Sequence, residues 1–146
     1  SMFYLKMLGA GLLGMVVGMI ANMTLVQFNL SLYPAPEGMD MNDMAAWKEF
    51  AASLPPEAFL IPIAAHLAQA FLGAWVAARI APAHVMGIAL TIGALSMAGG
   101  IMNLVNLSPP AWMWAELPFY LVFAGFAGRL ELTRRLGETG EEKVAE

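Results

Sequence analysis

Residues Val85 to Leu107 read VMGIALTIGALSMAGGIMNLVNL, 23 in a row without a charged side chain. A helix of that length rises about 34 Å, enough to cross the ~30 Å of hydrocarbon in a bilayer. Three further apolar stretches accompany it. One runs from about Tyr4 to Leu32 and ends in Tyr33-Pro34-Ala35-Pro36; another runs from Pro56 to Ile80 and stops at Ala81-Pro82. The last runs from Ala111 to about Leu136, with Gly137 as its expected C-cap. Proline closes three of the four, because it has no N–H with which to continue a helix. The expected fold is an all-α membrane protein, a four-helix transmembrane bundle in one domain over residues 1–137. Residues 138–146 then form a polar cytoplasmic tail.

Composition agrees with that reading. Of 146 residues, 60% are hydrophobic and 12% charged, with a mean hydropathy of +0.67. A soluble domain carries about a quarter charged residues, so a soluble globular domain and a disordered chain are both excluded. The net charge of −4 also excludes nucleic acid as a partner. The absence of cysteine excludes a disulfide-stapled domain and thiolate chemistry. Ser1 ahead of Met2 reads as a cloning remnant. The first span reads as a retained helix rather than a signal peptide, since its apolar part is too long and no small-x-small cleavage site follows.

Basic residues orient the bundle. Lys6, Arg79, Arg129, Arg134, Arg135 and Lys143 fall on one side of a four-span topology and Lys48 alone on the other. Positive charge marks the cytoplasmic side, so both termini are expected there, with the Pro34–Pro55 and Ser108–Ala111 connections outside. Within the longer connection, residues 41–54 show helical spacing of Met44, Trp47, Ala51 and Leu54, with Phe50 alongside and Lys48, Glu49 and Ser53 largely off that face. Asp40 or Asn42 is the expected cap and Asp43 favours the positive helix end. The pattern predicts a short extracytoplasmic amphipathic helix, acting as an interfacial anchor or as a lid. Asn29-Leu30-Ser31 and Asn106-Leu107-Ser108 close spans one and three alike, as Ala77-Ala78-Arg79-Ile80 and Ala127-Gly128-Arg129-Leu130 close spans two and four. A hairpin duplicated in parallel orientation would produce such matches, and so would the composition that apolar helices share by necessity.

Polar side chains inside the spans are placed unevenly. Asn22, Gln27 and Asn29 lie in the outer half of span one, and His66 and Gln69 near the middle of span two. Asn103 and Asn106 lie at the outer end of span three, and Glu116 early in span four. Such groups lose hydration in hydrocarbon and must face a partner or a watered cavity. Their distribution predicts an outward-facing polar pocket, floored by Asn22, His66 and Gln69. Its ligand-binding set is Asn22, Gln27, His66, Gln69, Asn103, Asn106 and Glu116. The mid-membrane His66 should meet at least one of Asn22, Asn103 or Glu116. From helix starts, Glu116 lies ~8 Å and His66 ~14 Å deep, so direct contact calls for tilt, a water, or a kink at Pro62 or Pro118.

Below that floor, small residues recur four apart: Ala10, Gly14, Gly18 and Asn22 on span one; Gln69, Gly73, Ala77 and His66, Ala70, Ala74, Ala78 on span two; Gly99 and Asn103 on span three; Ala124 and Gly128 on span four. They suit close helix packing within the chain, or pairing of two copies into a homo-oligomer. No metal, catalytic residue or cofactor is expected. One mid-membrane histidine and dispersed carboxylates make no zinc or di-iron set, Met39, Met41 and Met44 are too few for copper, and Asp40 to Ala51 fails as a calcium loop. The expected function is binding or transport of a small polar or amphipathic molecule, or a lipid. Two alternatives stand beside it: a structural or partner-binding membrane subunit without ligand, and a membrane-embedded enzyme using His66 and Glu116.

Tyr33-Pro34-Ala35-Pro36-Glu37-Gly38-Met39-Asp40 resembles the Tyr-Pro-x-Pro-x-Gly-x-Asp loop of an uncharacterised family of small four-span bacterial inner-membrane proteins. Leu54-Pro55-Pro56-Glu57-Ala58-Phe59, the Ala77–Ala81 end of span two, and Pro110-Ala111-Trp112 with Glu116-Leu117-Pro118 are similar too. The resemblance covers nearly the whole chain through short motifs and implies the four-helix topology and the bacterial inner membrane. It implies no chemistry. Family members place an acidic residue in span one, where this sequence has Asn22 or Gln27.

Overall fold

The computed structural model describes residues 1–145, and they are helical with short connections. Helix α1 spans Met2–Leu32, α2 Met44–Ser53, α3 Leu60–Ile80, α4 Val85–Leu107 and α5 Leu117–Ala145. Single 3-10 stretches, Pro56–Phe59 and Ala111–Glu116, lead into α3 and α5. Three helical segments, Met2–Leu32, Pro56–Ile80 and Val85–Leu107, are long and apolar enough to cross a membrane. The chain is therefore a helical membrane protein with three candidate spans. The segment read as a fourth span from Ala111 to Leu136 differs. Its α-helix starts only at Leu117, and Leu117 to Gly128 is its one charge-free run. That run rises about 18 Å, short of the hydrocarbon core, before Arg129, Glu131 and Arg134 interrupt it.

Helix α3 is the centre of the bundle, with α1, α4 and α5 all packed on it. Its buried residues are Ala65, Ala70, Gly73, Ala74, Ala77 and Ala78. All are alanine or glycine, so neighbouring backbones come close. Between apolar helices in lipid no hydrophobic effect drives association, and such van der Waals approach takes its place. A Cβ on Gly14 would stand 2.5 Å from the Gly73 carbonyl oxygen, and one on Gly18 would stand 2.7 Å from that of Gln69. These α1 glycines thus face α3 of the same chain. Across the bundle, a Cβ on Gly93 of α4 would meet Ala124 of α5 at 2.5 Å, and Gly128 faces Ala89 and Met86. Gly99 and Asn103 are exposed instead. The contact to α5 falls on Gly100, one residue and about 100° further round, against the Tyr120 ring.

The connections are tied down locally. Asp43 caps α2 by accepting from the Ala45 N–H at 2.9 Å, while Asp40 closes the preceding turn by accepting from Asn42. The Trp47 indole N–H donates to the Met41 carbonyl at 2.9 Å. Both ends of α4 turn on left-handed residues, His84 at φ 52° and Ser108 at φ 45°, which sharpen the reversals into α3 and toward α5. Helix α5 does not stop at Gly137. An Arg134–Glu138 pair and the Thr139 hydroxyl donating to the Arg135 carbonyl carry it on, so the polar tail is helical as far as Ala145; Glu146 lies outside the described residues. At this end Glu131 is 1% exposed and accepts from Arg135 Nε at 2.8 Å, Arg134 Nε at 2.9 Å and Arg79 at 3.4 Å. Arg135 also donates to the Ala78 and Ala81 carbonyls, capping the C-terminus of α3.

The packing of α1 on α3 makes a direct prediction. Gly14→Ala pushes a methyl into the Gly73 carbonyl and lowers the unfolding free energy by about 1–3 kcal/mol. Gly11 has nothing within 4 Å of its Cβ position, and Gly11→Ala is neutral or stabilising by up to about 1 kcal/mol. Denaturation of both variants in mixed micelles checks this; equal costs would contradict the close approach.

Candidate functional site

At the end of the bundle away from Arg79, the helices separate and leave a cavity of 240 Å³. Asn22, Val26 and Asn29 of α1 form one wall, and His66 of α3 with Asn103 and Leu104 of α4 form the other. Trp47, Phe50 and Ala51 of α2 lie across it, and Ala58 and Phe59 of the first 3-10 turn complete the enclosure. Phe59, Leu104 and Met113 are a separate buried cluster supporting that wall. The larger core of Ala10, Ala74, Ala77, Ile88, Ile92 and Ala124 closes the opposite half of the bundle. Small residues pack the Arg79 half shut; amide, imidazole and aromatic side chains hold the α2 half open.

Two cavity asparagines are left partly unsatisfied. Asn29 is 6% exposed and its Nδ2 donates to the Ala58 carbonyl at 3.0 Å. That bond identifies Oδ1 as the free acceptor, and Oδ1 is buried without a partner, as is Asn22 Oδ1. A buried carbonyl oxygen without a donor costs about 1–3 kcal/mol. Ser96 Oγ, on the buried face of α4, is likewise unpartnered. No lysine or arginine is among the residues that line the cavity.

His66 meets Glu116 directly. Its Nδ1 lies 3.1 Å from both carboxylate oxygens, and the Tyr120 hydroxyl donates to Oε1 at 3.4 Å. The imidazole and Tyr120 rings stack at 6.3 Å and 22°. The Glu116 side chain is 1% exposed and that of His66 12%. Neither proline kinks a helix to achieve this. Pro62 and Pro118 both sit in first turns, where proline is tolerated, and the Ala111–Glu116 3-10 stretch delivers the carboxylate at the N-terminus of α5. The helix dipole there favours negative charge. Glu116 accepts from the Tyr120 hydroxyl, and the direction of its bond with His66 follows the tautomer of the ring.

Of the residues expected to form the site, Asn22, His66 and Asn103 line the cavity and Glu116 stands behind His66. Gln27 and Asn106 are exposed, and Gln69 packs its carbonyl against Gly18; none of the three reaches the cavity. Asn29 and Asn106, matched in the faint repeat, thus occupy unlike environments, one buried and one exposed. The sequence reading assigned no role to Tyr120, Phe59 or the free oxygen of Asn29. For Tyr120 a signal exists: it follows Glu116 by four residues and shares its helix face. Among the described residues no three histidine or carboxylate side chains converge as metal ligands would. Compared with family models, curated proteins and solved structures, the chain matches none.

The buried pair is testable by a double-mutant cycle. His66→Leu and Glu116→Leu each lower stability by about 1–2 kcal/mol. Their combination costs less than the sum by about 1 kcal/mol, because the two groups lose their partner together. Strictly additive costs, measured by unfolding in mixed micelles, would contradict the contact.

Proposed function

We propose that this chain is a four-span protein of the bacterial inner membrane that binds or transports a small amphipathic molecule in the cavity under α2. The observation that carries this reading is Asn29. Its amide is buried in the wall of a cavity, bonded through one atom and free at the other. Ligand sites combine an apolar lining with a few placed polar groups, and Asn22, Asn29 and His66 among Val26, Phe50 and Leu104 follow that pattern. At 240 Å³ the cavity is small. An apolar cavity of about 150 Å³ accommodates benzene, so the ligand is of single-ring size.

The fourth span is α5. It packs on α3 and α4, and its charges sit where Arg79 ends α3. There Glu131 is neutralised by arginines whose long stems reach toward the interface. That basic end is cytoplasmic by the positive-inside rule. The α2 end, with Lys48 as its one basic residue, faces out, and α2 lies over the cavity as a lid with Trp47 and Phe50 inward. A structural subunit without ligand is favoured by one observation, the mutual pairing of His66, Glu116 and Tyr120.

Titration calorimetry with 2-phenylethanol, an uncharged amphipathic probe of the right size, separates the two. The full chain in lipid nanodiscs should show saturable one-to-one binding above lipid partitioning. Ala51→Trp, which fills the cavity from α2, should weaken it by about tenfold or more. No saturable binding to the wild-type chain, or equal binding to the variant, would contradict the ligand-site reading and leave the structural one.

A further inference from the structure

At the end of the bundle opposite α2, one enclosed carboxylate gathers three guanidinium groups. Glu131 Oε2 accepts from Arg134 Nε at 2.9 Å and from Arg79 at 3.4 Å, and Oε1 accepts from Arg135 Nε at 2.8 Å. Glu138 pairs with Arg134 from the exposed side. Arginine stays protonated in proteins, so three positive charges meet two negative ones and the cluster keeps one in excess. Arg135 spends its Nη2 on the carbonyls that end α3. Arg79 is the most open of the three, its side chain 49% exposed. It makes one long bond through Nη1, and its other N–H groups have no partner among the described residues. Because one carboxylate oxygen holds both Arg79 and Arg134, these two like charges stand side by side at the surface.

The level of the cluster indicates where an anion would come from. Arg79 is the last residue but one of the candidate span Pro56–Ile80, so it lies where hydrocarbon gives way to headgroups. One turn deeper on the same helix faces, Trp75 of α3 and Leu130 of α5 are exposed. Paired guanidiniums above exposed apolar side chains match the build of a phospholipid, with its phosphate above its acyl chain. Basic clusters between helices at the membrane edge bind such headgroups, and the guanidinium fork fits two phosphate oxygens at once. Excess positive charge favours a headgroup that is anionic overall and repels the ammonium of a zwitterionic one.

We propose that Arg79 and Arg134 bind the phosphate of an anionic phospholipid whose acyl chain lies against Trp75 and Leu130. Glu131 is the positioning residue: it holds the two guanidiniums together before the lipid arrives. The site is separate from the cavity under α2, and neither depends on the other.

Native mass spectrometry of the full chain, released from micelles holding phosphatidylglycerol and phosphatidylcholine in equal amounts, reads the lipid it keeps. A single phosphatidylglycerol should be retained, in preference to phosphatidylcholine by about tenfold. Arg79→Gln should lower that retention by about tenfold, the worth of one charge-assisted hydrogen bond. Arg129→Gln removes an equal charge from an exposed position about 140° round α5 from Arg134, and should change retention by less than about twofold. Inorganic phosphate at millimolar concentration should not displace the lipid; if it does, the site takes free phosphate and the lipid assignment falls. Equal retention of the two lipids would overturn the proposal. So would equal losses in Arg79→Gln and Arg129→Gln, which mean diffuse attraction without a site. Should Arg79→Gln fail to fold, Arg79→Lys keeps the charge and gives up the fork. The site then predicts a severalfold loss, and unchanged retention would overturn it.

Discussion

How closely another backbone can approach α3 governs the rest of this bundle. Along the half that ends at Arg79, the residues that α3 buries fully are all alanine and glycine, and α1 answers with Ala10, Gly14 and Gly18. A methyl group on Gly14 or Gly18 would already collide with a backbone carbonyl. Helices that cannot use water to drive them together gain their affinity from such contact, because dispersion falls away steeply with separation. Helix α1 packs principally on α3, and most of its remaining surface is exposed apolar side chains suited to lipid.

The α2 half obeys the opposite condition. From Gln69 outward, α3 carries His66 and then Pro62, and α1 carries Asn22 and Asn29 where it had glycine. These side chains cannot interdigitate as closely, and each brings polar atoms that must find partners in a medium without water. Some are satisfied within the fold: Glu116 lies between His66 and Tyr120, made possible by the absence of a side chain at Gly100. Others, the amide oxygens of Asn22 and Asn29, are not. The space between α1 and α4, covered by α2, follows from the change from small residues to polar ones along one helix pair. Function and packing are read from the same gradient.

Much of this was legible in the sequence. The long apolar runs and their closing prolines locate α1, α3 and α4, and the four-residue spacing of Ala10, Gly14 and Gly18 marks the face of α1 that meets α3. Uneven placement of polar residues also indicates which end of the bundle is polar. Less legible was which of two adjacent residues faces inward. Gly99 and Gly100 are indistinguishable by composition, and only the partner, Tyr120, selects the second. Asn29 and Asn106 present the same local sequence, yet the carbonyl of Ala58 reaches one and not the other. The stop expected at Gly137 misses because glycine ends a helix only where nothing on the next turn holds it. Arg134 with Glu138, and Thr139 with Arg135, hold it here.

Cysteine accessibility tests the central claim, a cavity beneath α2 and an opposite half sealed by small residues. The chain contains no cysteine, so single substitutions report without background. Leu107→Cys and Val26→Cys line the cavity, and Ile92, 2% exposed, lies in the sealed core. With a small impermeant methanethiosulfonate, the account predicts that the first two react from outside intact cells and that Ile92→Cys reacts from neither face. Reaction of Leu107→Cys only from the cytoplasmic face, or of Ile92→Cys as fast as the cavity positions, would contradict it.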